Sequence, residues 1–362
     1  MPADSVMTPR ERVLAALSHK ETDKVPFSMG FGVNHPVRVA MAPRLGLRDA
    51  AEVDAFLRGL SDLRWAYPEF KGPPERRVNR PDGTSVDMWG VTRKPVSYGP
   101  GTYSEICGYP LADVSSVSDL DSFLWPSVDW FDFDGFADKV RAAGEDGRYA
   151  LCISFGNIFE SSWYMRGFEA ILTDVAESPE LVWEIFRRVT DFFVAFHTRV
   201  HEEARGLFDI VFTADDIGGQ EGLIMSPSMW EGMLKPHHAR LNRLIHGYGP
   251  KVMYHSDGAV MDAVPGLIDM GIDVLEALQF DAKGMDPVAL KAGYGDRLSF
   301  HGGVSVQHTL PWGTEDEVRR EVRDRIKVLG KGGGYILAPS HAVQAGTPVG
   351  NVIAFLEEAG RI

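Results

Sequence analysis

Cysteine is scarce: the 362 residues hold two, Cys107 and Cys152. They make no paired metal spacing and argue against a disulfide framework. Long hydrophobic runs are missing as well. Nothing approaches the ~20 apolar residues that cross a bilayer. The opening MPADSVMTPRERVLAALSHKE is charged where a secretory signal would be apolar. The expectation is a cytoplasmic protein with no membrane partner. Basic clusters are absent too. Lys plus Arg is 37 against 51 Asp plus Glu, a net charge of −14, which turns away nucleic acid and anionic membrane surfaces. There is no Gly-rich dinucleotide turn. The run Gly330-Lys331-Gly332-Gly333-Gly334 precedes a strand instead of opening a helix, so it reads as a helix stop.

What is present suits one large core, with 44% hydrophobic and 24% charged residues. Thr8, Pro9 and Glu11 spell a capped helix start. Val25-Pro26-Phe27-Ser28-Met29-Gly30 follows as a short strand. From about residue 148 the pattern is regular. Apolar runs at Tyr149–Phe155, Phe208–Thr213, Lys251–His255, Asp273–Leu278, Leu298–His301 and Gly334–Ala338 predict strands. Amphipathic segments opened by Ser178-Pro179, Ser226-Pro227, Thr314-Glu315-Asp316-Glu317 and Thr347-Pro348 predict the helices between them. Strands separated by helices make a parallel sheet. This number of units, without a dinucleotide turn, predicts a closed (β/α)8 TIM-type barrel. The chain reads as one barrel domain over 1–362. Residues about 35–125, with a hairpin near Ser85–Val91, form an elaboration over the barrel mouth.

In such a barrel, chemistry sits where strands end. Five successive strand ends carry titratable groups: Asp215-Asp216, His255-Ser256-Asp257, Glu276, His301 and His341. His255 and Asp257 stand two apart on an extended segment, so their side chains share a side. With His341 from another strand end they make a two-histidine, one-carboxylate set. That set suits a divalent metal, zinc first, with iron or manganese behind. The competing reading is a hydrogen-bonded loop histidine with Asp257 capping the next helix. Only one of Asp215 and Asp216 can face the site, and the other caps a helix or pairs with a cation. Tyr164 and Arg166, in Trp163-Tyr164-Met165-Arg166-Gly167, are placed to hold a substrate, with Trp163 in packing. Glu276 and His301 are further candidates for substrate contact. His237 and His238 read as surface or packing residues, and Trp89 with Glu105 as parts of a lid.

These segments resemble the uroporphyrinogen decarboxylase superfamily, which also contains zinc-dependent methyltransferases acting on corrinoid proteins and thiols. The resemblance runs over nearly the whole chain. It is strongest at Trp163–Gly167, Asp215–Gly222, Lys251–Gly258 and Gly333–Pro348, and it implies the barrel fold. Tyr164 and His341 match a tyrosine and a histidine of the decarboxylase site, and Asp216 stands where those enzymes carry serine. Their arginine-rich stretch is replaced by Met29-Gly30-Phe31-Gly32-Val33-Asn34, and their pyrrole-binding aspartate has no counterpart. The resemblance therefore implies an activity other than tetrapyrrole decarboxylation. The methyltransferases bind zinc through His-x-Cys and a later Pro-Gly-Cys-Gly. Here His255-Ser256-Asp257 and Pro339-Ser340-His341 keep the positions without sulfur. Harder O and N ligands imply a Lewis-acid metal rather than thiol activation.

The expectation is a metal-dependent enzyme that transfers or removes a methyl group on a small molecule. Asp216 or Tyr164 would handle a proton. A corrinoid protein as partner and a homodimer stay open. So do a metal-free decarboxylase using His341 and Tyr164, an iron oxygenase, and a non-catalytic corrinoid or tetrapyrrole carrier.

Overall fold

The computed structural model describes residues 6–99 and 101–362. Seven parallel strands form one sheet in chain order: β1 (Leu63–Trp65), β2 (Ala150–Ser154), β3 (Ile210–Ala214), β4 (Lys251–His255), β5 (Val274–Ala277), β6 (Ser299–Val304) and β7 (Tyr335–Pro339). An eighth segment closes the ring. Phe27 bridges Leu337 in parallel. Ser28 N–H donates to the Leu337 carbonyl, Leu337 N–H to the Pro26 carbonyl, and Asp62 N–H to the Phe27 carbonyl. Pro26 has no N–H to give, and Gly30 turns left-handed at φ +53°, so this strand stays one bridge long. The barrel expectation holds, and it includes the strand read at Val25–Gly30.

Alternation along the strands sorts side chains into two layers. Leu63, Ala150, Cys152, Ile210, Met253, Val274 and Ile336 fill the interior as one apolar cluster. Val13 and Leu17 of helix α1 (Pro9–Leu17) join that cluster and close its lower end. Thr8 and Glu11 cap α1 as the sequence predicts, and Thr314 with Glu317 caps the helix Glu315–Leu329 likewise. Outward-facing strand residues pack under the surrounding helices in the larger core. Both cysteines are free thiols, Cys152 buried inside the barrel and Cys107 exposed. No helix among the described residues is long and apolar enough to cross a membrane.

The stretch read as elaboration begins later than the sequence suggests. Helices His35–Leu45 and Ala50–Leu60 lead into β1, which pairs with β2 inside the barrel. Beyond β1 lies a four-stranded antiparallel sheet, in which Ser85–Val86 pairs with Thr92–Ser97 at the expected hairpin. Trp89 is no lid residue. It is buried edge-on against Phe192 and Phe193 of helix α3 (Pro179–Ala204; the label α2 is given to the helix Ile158–Arg166). Glu105 pairs with Lys94 inside the sheet.

Helix α3 carries an acid-sensitive pair. His197 and His201, one turn apart, are buried, and His201 has no partner on either ring nitrogen. Burial pushes His197 down to about 4 and His201 down to about 3. Unfolded histidine titrates near ~6.5, so below that pH the unfolded chain takes up protons that the fold refuses. The stability is complete above about 6.5 and is lost as pH falls through that value toward the folded values. Each group contributes a slope on the order of 1.4 kcal/mol per pH unit in that window. Urea midpoints at pH 7.5, 6 and 5 check this. Replacing His201→Phe should flatten the decline, and an unchanged slope would refute the assignment.

Candidate functional site

Three adjacent strands set one row of inward residues above the apolar layer. His255 on β4 is the register partner of Glu276 on β5, and Glu276 is the partner of His301 on β6. All three are buried. Glu276 spans the row: its carboxylate takes the Nδ1 hydrogen of His255 and lies 3.5 Å from Nδ1 of His301. His301 Nε2 is hydrogen-bonded to Ser28 Oγ at 2.7 Å. A carboxylate on Nδ1 fixes the ring and points Nε2 at the mouth of the barrel.

Nε2 of His255 lies 3.4 Å from Asp216 Oδ1 and 3.8 Å from Asp257 Oδ1. His341 arrives from the loop after β7, its ring centroid 6.0 Å from that of His255. One ligand atom each from His255, Asp257 and His341 lies within 4.8 Å of the others. The geometry therefore gathers the three residues that the sequence nominated as metal ligands. Oδ1 of Asp257 is buried without a hydrogen-bond partner. An orphaned carboxylate oxygen 3.8 Å from an imidazole nitrogen fits a cation.

The loops that carry these groups are clamped backbone to side chain. Asp257 N–H donates to Asp216 Oδ1 at 2.8 Å, and Gly258 N–H to Gln279 Oε1 at 2.9 Å. Gly258 is left-handed at φ +83°, and a Cβ there would stand 2.6 Å from the Gly218 carbonyl. Only glycine lets the two loops approach this closely.

Charge in the site is strongly coupled. Burial works against a charged His255, but Glu276, Asp216 and Asp257 outweigh it and raise the imidazole well above its ordinary value. Burial is also the largest influence on Glu276, yet His255 and His301 hold it down to about 2. Asp216 stays below the usual carboxylate range because the bond and charge of His255 overcome burial. Asp257 is raised, by burial first. Among the described residues no lysine or arginine pairs with Asp216, Asp257 or Glu276; their only charged partners are histidines.

Asp215 and Asp216 diverge as adjacent residues must. Asp216 faces the site. Asp215 turns outward, accepts the N–H groups of Phe159 and Glu160 at 2.8 Å each, and so caps α2; it also pairs with His238. His238 is therefore a packing residue that reaches a strand end, and His237 packs against Trp183 and Phe186.

One substrate assignment needs correction. Arg166 is spent on structure: it pairs with Asp174 and donates to the carbonyls of Leu111, Ala112 and Val114. A guanidinium at the end of α2 has backbone carbonyls nearer than any substrate. Glu276 is locked between two histidines, where it orients the His255 ring, and it also lines the adjoining cavity, the place expected of it for substrate contact.

Glu160 escaped the sequence reading, because it sits inside a helix with no motif. It is buried, bonded to Asn157 and Tyr164, and pushed up to about 7 by burial and by the charges of Asp215 and Asp216. Tyr164 donates its hydroxyl to Glu160 at 3.2 Å, and burial followed by that carboxylate raises its pKa. Trp163 packs on Tyr164 and Phe168. Phe31 also escaped. Its ring stacks on His341 with centroids 4.7 Å apart and stands edge-on to His255 at 5.0 Å. The available signal was an aromatic residue between two glycines, Gly30 and Gly32, both left-handed here.

Beside the row lies a cavity of about 440 Å³ lined by Phe31, Trp65, Tyr67, Phe212, Glu276 and His301, among others.

Replacing Glu276→Gln keeps the shape and removes the charge behind His255. Loss of such a supporting carboxylate typically weakens metal affinity about 10- to 100-fold. Competition with a chromogenic chelator measures it, and an unchanged affinity would remove Glu276 from this role.

A closed parallel barrel with converging imidazoles and carboxylates at its strand ends defines a TIM-barrel enzyme. The chain belongs to the uroporphyrinogen decarboxylase family, whose model matches residues 97–362. A methyltransferase from Methanosarcina mazei superposes with a TM-score of 0.69 at 18% identity, covering 98% of each chain, and shares the fold. The 3-keto-D-glucoside 4-epimerase YcjR from E. coli lies further off, with a TM-score of 0.37 at 12% identity over 63% of this chain and 84% of its own. No curated protein matches the chain at a significant level.

Proposed function

We propose that this protein is a metal-dependent enzyme of the methyltransferase-like branch, moving a methyl group from a small molecule, with a corrinoid protein as acceptor. One observation carries the reading. Ligand atoms of His255, Asp257 and His341 converge within 4.8 Å, with Glu276 behind His255 and an unpartnered oxygen on Asp257. Zinc is the first expectation for this N/O set, then iron or manganese. When bound, such an ion supplies Lewis acidity that polarises a substrate heteroatom.

The chain's own residues do the rest. Glu276 holds the His255 ring in one tautomer. Asp216 is ionised at neutral pH and keeps one carboxylate oxygen without a partner among the described residues, so it accepts a proton there. Glu160, near 7, is divided between its two forms at neutral pH and is the group suited to return a proton to a departing heteroatom. Tyr164 steadies Glu160 by hydrogen bond. Phe31 covers the imidazoles and excludes water.

The test is anaerobic methylation of free cob(I)alamin by methoxy, methylthio and methylammonium donors, followed by its absorbance. A metal-dependent rate with at least one donor class is expected. No transfer from any class, with metal loaded, overturns the reading. The same preparation given reduced uroporphyrinogen should form no coproporphyrinogen, because the site offers acidic groups to a substrate that bristles with carboxylates. Ordinary turnover there would restore the decarboxylase.

A further inference from the structure

We infer that the cavity beside the triad is an aromatic box for a methylated onium group, a quaternary ammonium or a sulfonium. This rests on the methyl-transfer reading and names its donor class. The carbon–nitrogen or carbon–sulfur bond breaks as the methyl group passes to the acceptor, and the rest leaves as a neutral amine or thioether. Neither Lewis-acid polarisation nor the Glu160 proton is needed for this donor. Four rings line one cavity: Phe31, Trp65, Tyr67 and Phe212. Phe31, Trp65 and Tyr67 are among the exposed large hydrophobic residues of the chain, at 47%, 41% and 44%. Isolated exposed aromatics need no explanation, but three gathered on one concave wall do.

The arrangement follows from the strands. Leu63, Trp65 and Tyr67 alternate onto the inner side of β1 and its extension. Trp65 and Tyr67 lie parallel within 4°, centroids 6.4 Å apart. Phe212 from β3 meets Trp65 edge-on at 5.9 Å and Phe31 edge-on at 5.9 Å. Tyr67 is pinned by a 3.0 Å hydrogen bond to Ser154. The rings therefore meet mostly at right angles and leave π faces open to the cavity.

Charge selects the occupant. Glu276 lines the same cavity, and Asp216 and Asp257 stand beside it without lysine or arginine partners among the described residues. Three carboxylates outweigh a divalent ion, so the mouth attracts cations and repels anions. At the rim, Arg58 and Arg38 share the one carboxylate of Asp54, at 3.3 Å and 2.9 Å, so the charge that favours a cation lies at the Glu276 end of the cavity. A flat neutral ring would fill the cavity but leave this field unused. An onium ion uses both the π faces and the carboxylates. Its methyl groups would lie against Phe31, which also touches His255 and His341.

The test is titration of the full chain, metal-loaded and metal-stripped, with choline and with its neutral isostere 3,3-dimethylbutan-1-ol, followed by calorimetry or ligand NMR. Choline should bind about tenfold more tightly or better, as cation–π contacts in a desolvated box require. Trp65→Leu and, separately, Tyr67→Leu should erase most of that preference, while Trp65→Phe keeps much of it. Equal affinity for the two probes, tighter binding of a neutral aromatic ether such as anisole, or no binding of any probe overturns the proposal. None of the four box residues is a metal ligand, so the preference should persist without metal. Failure of the metal reading and failure of the box are thus separate results.

Discussion

Purified without chelators, the protein is expected to carry about one equivalent of a divalent ion, and His255→Ala and His341→Ala are each expected to lose it while staying folded. Three protein ligands leave coordination positions open, which is what a catalytic ion needs. The ligand atoms lie within 4.8 Å of one another. Two atoms at ~2.1 Å from one ion are at most ~4.2 Å apart, and the 3.8 Å between His255 Nε2 and Asp257 Oδ1 already meets that bound. Asp257 and His341 are only half-buried, whereas His255 is fixed by Glu276. Asp216, 3.4 Å from His255 Nε2, is a candidate fourth ligand or a base beside the ion. Without metal, His255 holds a proton among three carboxylates. Binding must release that proton, so affinity should fall as pH drops. Metal analysis by mass spectrometry, with reconstitution by zinc, iron(II) and manganese(II), decides. If none of the three ions binds near stoichiometrically, or if both alanine variants keep their metal, the site is not a metal centre.

The barrel was legible wherever a strand is an apolar run between helices, which covers every strand from residue 149 onward. The strand β1 was not legible. It is three residues long, Leu63-Arg64-Trp65, and its central arginine reads as polar surface. In the fold Arg64 lies flat over the Tyr149 ring at 3.5 Å, which buries the stem of a charged side chain without breaking the strand. The convergence of His255, Asp257 and His341 was legible because an i, i+2 pair and a strand-end histidine survive as a pattern in one dimension. The roles of Glu276 and Arg166 were not. Glu276 stands near a strand end and Arg166 at the end of a helix, and only the fold shows that one faces a histidine and the other faces backbone carbonyls. The aromatic wall was invisible for a different reason. Phe31, the pair Trp65 and Tyr67, and Phe212 come from three separate segments, and nothing in one dimension shows that they face one cavity.

Replacing Asp62→Ala should destabilise the fold by roughly 3–5 kcal/mol, the usual result of removing one member of a buried ion pair. Asp62 is 2% exposed and holds the seam of the barrel. Its carboxylate accepts the Phe27 N–H at 2.8 Å, a guanidinium N–H of Arg12 at 2.8 Å and one of Arg361 at 3.0 Å. Its own N–H donates to the Phe27 carbonyl. The closing strand is a single bridge at Phe27, so Asp62 supplies by side chain what a longer ladder would supply by backbone. It also links three distant parts of the chain: α1, the β1 seam and the C-terminus. Arg12 keeps Asp23 as a second partner. Among the described residues Arg361 has no other carboxylate partner, its Nε is already buried without a partner, and burial already depresses its pKa. The loss should therefore fall mainly on Arg361, and Asp62→Ala combined with Arg361→Leu should recover part of it. Urea unfolding measures both variants; a lower midpoint at constant slope reads as lost stability rather than an altered unfolded state. A decrease under about 1 kcal/mol for Asp62→Ala, or strict additivity in the double variant, would show that the seam does not depend on this ion cluster.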